Sequence, residues 1–174
     1  MEQNRPTTGK VSLNFGLLTG AVGIVFGLML YFADMHYERG FAVQTIQILI
    51  LVAGIIVGIV QFKKMNLGFL TLSEALKVGA GVALIAGILG LVYFFFLSNV
   101  IEPDYMDNVF ELGKEEAMAA NPSLTEEQMD QGIEMQKKFA WISYPIILIF
   151  NIIIGLVVGL IVGLIMKKEE LADE

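Results

Sequence analysis

The sequence predicts an all-α integral membrane protein of four transmembrane helices, read as two tandem helical hairpins, with a helical extracytoplasmic insertion between helices 3 and 4. Three observations carry this prediction. The 174 residues are 56% hydrophobic and 17% charged, and their mean hydropathy of +0.70 lies far above that of a soluble domain. Four apolar stretches, residues 11–33, 41–62, 72–97 and 142–166, are each long enough to cross about 30 Å of hydrocarbon at roughly 1.5 Å per residue. The charges are sorted, because residues 98–139 hold ten carboxylates against three lysines, a balance equal to the whole chain's formal net charge of −7. Residues 1–174 are therefore read as one four-helix membrane domain.

Arg5 and Lys10 precede the first span in the manner of a signal peptide. That span is too long for a cleavable apolar region and lacks a small-residue exit, so it is expected to be retained. Lys63 and Lys64 follow the second span, and Lys167 and Lys168 follow the fourth. Basic residues near span ends set orientation, which places the N-terminus, the middle loop and the C-terminus in the cytoplasm. The other side receives Arg39 and, in the long segment, Lys114, Lys137 and Lys138.

The outer segment 98–139 is expected to be helical. Met106, Val109, Phe110, Gly113 and Ala117 recur at helical spacing, and Pro103 suits a first helical turn. In "NPSLTEEQ", Asn121 and Pro122 end one helix, and Ser123 with Glu126 has capping-box spacing for the next. That second helix is read as able to run into the fourth span with a kink at Pro145, and Trp141 and Tyr144 are read as an outer aromatic belt. The acidic face, with Asp104, Asp107, Glu111 and Glu115 as candidate partner-binding residues, should avoid anionic headgroups and face water or a cationic partner.

Small residues mark the faces by which membrane helices approach. Gly16, Gly20, Gly23 and Gly27 in the first span share their spacing with Gly79, Ala83, Ala86 and Gly90 in the third. Gly54 and Gly58 in the second span correspond to Gly159 and Gly163 in the fourth. The matches read as a parallel repeat of hairpins, and the rival reading is the mutual likeness of any Gly- and Ala-rich spans. Gly155, Gly159 and Gly163 form one seam, for intrachain packing or, alternatively, for a homo-oligomer.

The stretch "LTLSEALKVGAG" carries Glu74 and Lys77 at the start of the third span. Thr71 with Glu74 has capping-box spacing, a carboxylate in a first turn complements the helix dipole, and Lys77 can extend to the headgroups. The sharper reading makes the pair an ion or proton site, since charges within spans are functional candidates. The remaining span polarity (Asn14, Thr19, Gln44, Thr45, Gln47 and Asn151) is of a kind that interhelical hydrogen bonds explain. His36, the single histidine, stands with Asp34 and Glu38 in "ADMHYERG", which reads as a solvated turn rather than a metal site. The absence of cysteine excludes disulfides and thiolate chemistry. There is no phosphate loop, no nucleophile elbow and no sign of nucleic-acid binding. No cofactor is implied, and an enzyme is the weakest class.

"LTLSEALKVG", then "EPDYMDNVF", then an acidic helical stretch ending "MQKKFAWISYP" before a Gly-rich span and Lys-Lys, together resemble the bacterial membrane family catalogued as domain of unknown function 4199. The resemblance covers nearly the whole chain. The family's Ser-Phe-x-x-Ala-Leu/Phe-Lys-Val-Gly pattern falls on Ser73 to Gly79, with Leu or Glu in place of the aromatic after the Ser. Its Pro-acid-aromatic-Met pattern falls on Pro103 to Met106, and Ser143-Tyr144-Pro145 matches its aromatic-x-x-Pro element loosely. The Glu that often follows that last Pro is replaced by Ile146 and Ile147. The resemblance implies a multi-pass protein of a bacterial inner membrane with no assigned activity, and an accessory role beside a membrane glycosyltransferase.

Two functional expectations follow. The first is a non-enzymatic scaffold or accessory subunit, seated in the lipid bilayer, whose acidic outer helices bind a membrane or periplasmic partner. The alternative is a small oligomeric transporter or channel with Glu74 and Lys77 at the cytoplasmic mouth.

Overall fold

The computed structural model describes residues 6–37 and 40–168; Arg5, Glu38 and Arg39, which carry part of the orientation and turn expectations, lie outside the described residues. The helices are α1 (Thr8–Phe32), α2 (Phe41–Met65), α3 (Leu72–Phe96), a π-helical turn (Leu97–Ile101), α4 (Tyr105–Ala120) and α5 (Glu126–Met166). Four of them, α1, α2, α3 with its π-helical continuation, and α5, are long and apolar enough to cross a membrane. Phe32, Phe41 and Ile165 are about four-fifths exposed, an outward apolar surface that suits hydrocarbon rather than water. The chain divides into two compact units, Met1–Gly90 with Leu148–Glu174, and Leu91–Ile147.

In the first unit the directions of the helices follow from their contacts. Thr19 of α1 meets Gly54 of α2, and Phe15 meets Gly58, so α1 and α2 run antiparallel. Gly16 meets Ile85 and Gly20 meets Leu89, so α1 and α3 run parallel. Gly79 meets Gly155 and Ala75 meets Gly159, so α3 and α5 run antiparallel. The buried core is built from the N-terminal halves of α1 and α3 and the C-terminal halves of α2 and α5. Ile55, Ile59, Val78 and Val82 are wholly buried there, packed with Val11, Phe62, Leu70 and Val162. Membrane helices gain little by excluding lipid from Leu-like surface, so this contact is van der Waals packing between small and branched residues.

The same end is tied by the backbone. The α2–α3 turn places Leu67 (φ +56°) and Gly68 (φ +84°) in the left-handed region, and the Gly68 N–H donates to the Lys63 carbonyl at 2.9 Å. Glycine takes that conformation freely, whereas Leu67 takes it against a steric cost. Leu70, fully buried, then exchanges two hydrogen bonds of 2.9 Å with Lys168 in an isolated antiparallel bridge. The Lys63 ammonium donates to the Met166 carbonyl at 2.8 Å, supplying a cation and a donor to the C-terminal end of α5.

In the second unit α4 and the N-terminal part of α5 form an antiparallel pair, joined at Lys114–Asp130 and Lys137–Asp107. Val109 is the buried residue of α4, and the Lys137 ammonium lies 5.5 Å from the centroid of the Phe110 ring.

Several boundaries differ from the sequence reading. Pro103 precedes the Asp104 N-cap of α4 and is not inside its first turn. The capping box of α5 uses Thr125 and Gln128: the Thr125 N–H donates to Gln128 Oε1 at 3.2 Å and the Gln128 N–H to Thr125 Oγ1 at 3.3 Å. Ser123 is instead held by Asn121, whose Oδ1 accepts from the Ser123 N–H and hydroxyl, a side-chain turn that competes with capping. The third span passes Leu97 into the π-helical turn, where Glu102 N–H donates to Leu97 O at 2.8 Å. The expected union of the second outer helix with the fourth span is present, with Pro145 inside the single helix α5.

Candidate functional site

Glu74 enters α3 in its first turn, one turn after Thr71. Its Oε2 accepts from the Thr71 N–H at 2.8 Å and the Thr71 hydroxyl at 2.9 Å, while Thr71 Oγ1 accepts from the Glu74 N–H at 3.2 Å. This is the reciprocal capping box, and it engages the carboxylate at the mouth of the helix. Glu74 is half-buried and Lys77 exposed. Among the described residues no ion pair joins them; the structure places them on successive turns of one helix but does not bring them together as a site.

The candidate partner-binding residues lie in the second unit. Asp107 is engaged by Lys137 at 2.5 Å, and the other ion pair, also 2.5 Å, uses Lys114 and Asp130. The hydrogen bond from Lys114 to Asp130 and the charge of that carboxylate, aided by Glu126 and Glu111, raise the Lys114 pKa above its ordinary value and hold the side chain as ammonium. Asp104, Glu111 and Glu115 are exposed, as are Glu116, Glu126, Glu127 and Glu134. None of these seven takes part in either pair. The two pairs therefore set the register of the hairpin and leave a run of carboxylates on its outside. Asp130 and Lys114, as the residues that set this register, were not legible as such, because the pairing depends on which turns of α4 and α5 meet.

The glycines divide into three groups. Along α3 and α5 backbones touch: a Cβ at Gly155 would lie 2.5 Å from the Gly79 carbonyl oxygen, and one at Gly159 would lie 2.9 Å from that of Ala75. A Cβ at Gly79 would collide with the Gly155 carbonyl oxygen, and one at Gly163 would lie 2.8 Å from Leu72. Gly16, Gly20, Gly54 and Gly58 instead receive side chains, those of Ile85, Leu89, Thr19 and, for Gly58, Val82 with Phe15. Gly23 and Gly90 have nothing within 4 Å, and Gly27 lies in α1, half-buried. The equal spacing in α1 and α3 thus serves two different contacts. Sequence reading missed two further close approaches, Ser12 against Gly81 and Gly87 against Asn151, a residue it had singled out only for its polarity; the Ser12 hydroxyl also lies 3.4 Å from the Val78 carbonyl.

The His36 ring stacks near Tyr31 and Tyr37, with centroids at 5.0 and 4.3 Å. Among the described residues no group of three His, Cys, Asp or Glu side chains is placed to hold a metal ion. Trp141 and Tyr144 are exposed, and Tyr144 lies 6.4 Å from the Phe94 ring, centroid to centroid.

A family model described as Protein of unknown function (DUF4199) matches residues 14–168, most of the chain. No curated protein and no solved structure matches the chain significantly.

Proposed function

The chain belongs to the DUF4199 family, and we propose that it is a non-enzymatic scaffold or accessory subunit that uses its acidic outer helices to bind a membrane or periplasmic partner. One observation carries the reading. The α4–α5 hairpin is fixed in register by two ion pairs while seven further carboxylates stay exposed on it. Partners that complement this charge are cationic, and complementary charge directs encounter and register. In this reading the hairpin faces the extracytoplasmic side of a bacterial inner membrane and both termini are cytoplasmic, an orientation supported by the basic residues near the ends of the membrane helices. The α1–α2 and α3–α5 pairs are read as two hairpins of like orientation, supported by the parallel run of α1 and α3. A membrane glycosyltransferase is the partner implied by the family resemblance.

The transporter reading draws less support, because the carboxylate of Glu74 is engaged by Thr71 and Lys77 faces outward. Deleting the outer segment is a poor test, since α5 runs unbroken from Glu126 to Met166 and deletion would cut it. The better variant neutralises Glu111, Glu115, Glu116 and Glu134 to Gln and leaves both ion pairs in place. Tagged wild-type protein purified from its own membranes in mild detergent should carry a stoichiometric companion, identified by mass spectrometry, and the neutralised variant should lose it. A companion kept by a correctly inserted variant contradicts the proposal.

A further inference from the structure

The end of the bundle where the core lies also gathers lysines. Lys64 closes α2, Lys77 stands in the second turn of α3, Lys10 in the first turn of α1, and Lys167 directly follows α5. The Leu70–Lys168 bridge and the Lys63–Met166 hydrogen bond bring the α2–α3 turn and the end of α5 together, so these groups share one edge. Lys10, Lys64, Lys77 and Lys167 are all exposed. The acidic side chain described at this end, Glu74, is engaged by Thr71. The residues next to these lysines in sequence are apolar and exposed: Met65 (55%) after Lys64, and Leu164 (54%) and Ile165 (78%) ahead of Lys167.

We propose that this edge binds the headgroups of anionic phospholipids, the lysines holding the phosphate while the acyl chains lie along the exposed apolar residues of α2 and α5. Charge alone would suit free phosphate or an acidic protein equally. Exposed apolar residues lie further along the same helices, Leu13 and Leu17 on α1, Ile56 and Val57 on α2, and Leu164 and Ile165 on α5, and they favour a molecule with a phosphate at one end and hydrocarbon at the other. Clustered basic residues beside membrane helices favour anionic lipid by a contribution for each lysine near the surface. This inference does not rest on the partner-binding reading, since it uses the other unit of the molecule.

The test reconstitutes the full chain in phosphatidylcholine vesicles containing either spin-labelled phosphatidylglycerol or spin-labelled phosphatidylcholine, and measures by electron paramagnetic resonance the fraction of each label immobilised by the protein. The expected result is a preference for phosphatidylglycerol that falls by up to about fivefold for each lysine neutralised, in Lys64→Gln and Lys167→Gln, and that Lys64→Arg retains. Both side chains are exposed, so the variants keep the fold, which an unchanged melting profile checks. Equal immobilisation of the two lipids overturns the proposal, as does a preference that survives both substitutions. Loss of the preference on adding millimolar inorganic phosphate, but not chloride at equal ionic strength, would assign the site to free phosphate and overturn the lipid assignment.

Discussion

The helix α5 is held in two different ways along its length. Its C-terminal half lies backbone to backbone against α3 through Gly155 and Gly159, at separations that leave no room for a single added carbon, and Gly163 meets the Leu72 and Ala75 side chains. Its N-terminal part is joined to α4 through Lys114–Asp130 and Lys137–Asp107, with the two aspartates largely exposed. The first contact depends on shape and is insensitive to salt; the second depends on charge, and exposed pairs weaken as ions screen them. The difference teaches where each part of the sequence is intolerant. In the seam one methyl group is too many, whereas the hairpin accepts changes of volume and resists changes of sign.

The largest expected effect breaks the seam. Gly155→Leu puts a branched side chain where the Gly79 carbonyl already stands, and overpacking of this kind costs about 1–3 kcal/mol or more. Its thermal transition in detergent should fall well below that of wild type. Gly90→Leu on α3, where nothing lies within 4 Å, should leave the transition almost unchanged, which separates the contact from the mere loss of a glycine.

A middle effect acts on the capping box. Thr71→Ala removes the hydroxyl that gives and accepts a hydrogen bond with Glu74, and loss of such a cap costs about 1 kcal/mol. Ser73→Ala, one turn position away and exposed, is the control. Denaturant unfolding of the two variants side by side reads the difference.

The hairpin should respond to charge and hardly to the bundle. Lys114→Met with Lys137→Met should speed proteolytic cutting between Tyr105 and Glu134 while the bundle's melting transition stays within about 0.5 kcal/mol of wild type, as distant sites do. The smallest effect is that of pH. Because Asp130 raises the Lys114 pKa, the ammonium's contribution is complete below the ordinary lysine range and is lost as pH rises through the raised value. Spin labels on α4 and on the N-terminal part of α5 should therefore keep their separation up to about pH 10 and move apart only above the ordinary lysine pKa.

Much of this architecture was legible in the residues. Apolar length located α1, α2, α3 and the end of α5 to within a few residues, because a stretch such as 41–62 has no other stable use; α5 begins at Glu126, well before the apolar stretch 142–166, because a polar helix continues into the span without a break. The Thr71–Glu74 box was legible because a capping box is a purely local pattern. The box before α5 was displaced from Ser123 to Thr125 because two overlapping patterns fit, and the choice fell to the Asn121 side chain, which captures Ser123. The π-helical turn at Leu97–Ile101 has no simple pattern, since its extra residue per turn depends on what Ser98 and Asn99 bond, here the Phe94 and Phe95 carbonyls. For the candidate sites, spacing marked Gly155, Gly159 and Gly163 as a packing face, but the partner on that face is set by helix register, which spacing does not contain. The two ion pairs were hidden for the same reason.

Hydrogen exchange by mass spectrometry, on one detergent-solubilised sample at low and at high salt, tests the contrast most directly. Amides of α4 and of the first turns of α5 should exchange faster at high salt, while amides around Gly79 and Gly155 keep their protection. Loss of protection in both regions together, or in neither, would contradict it.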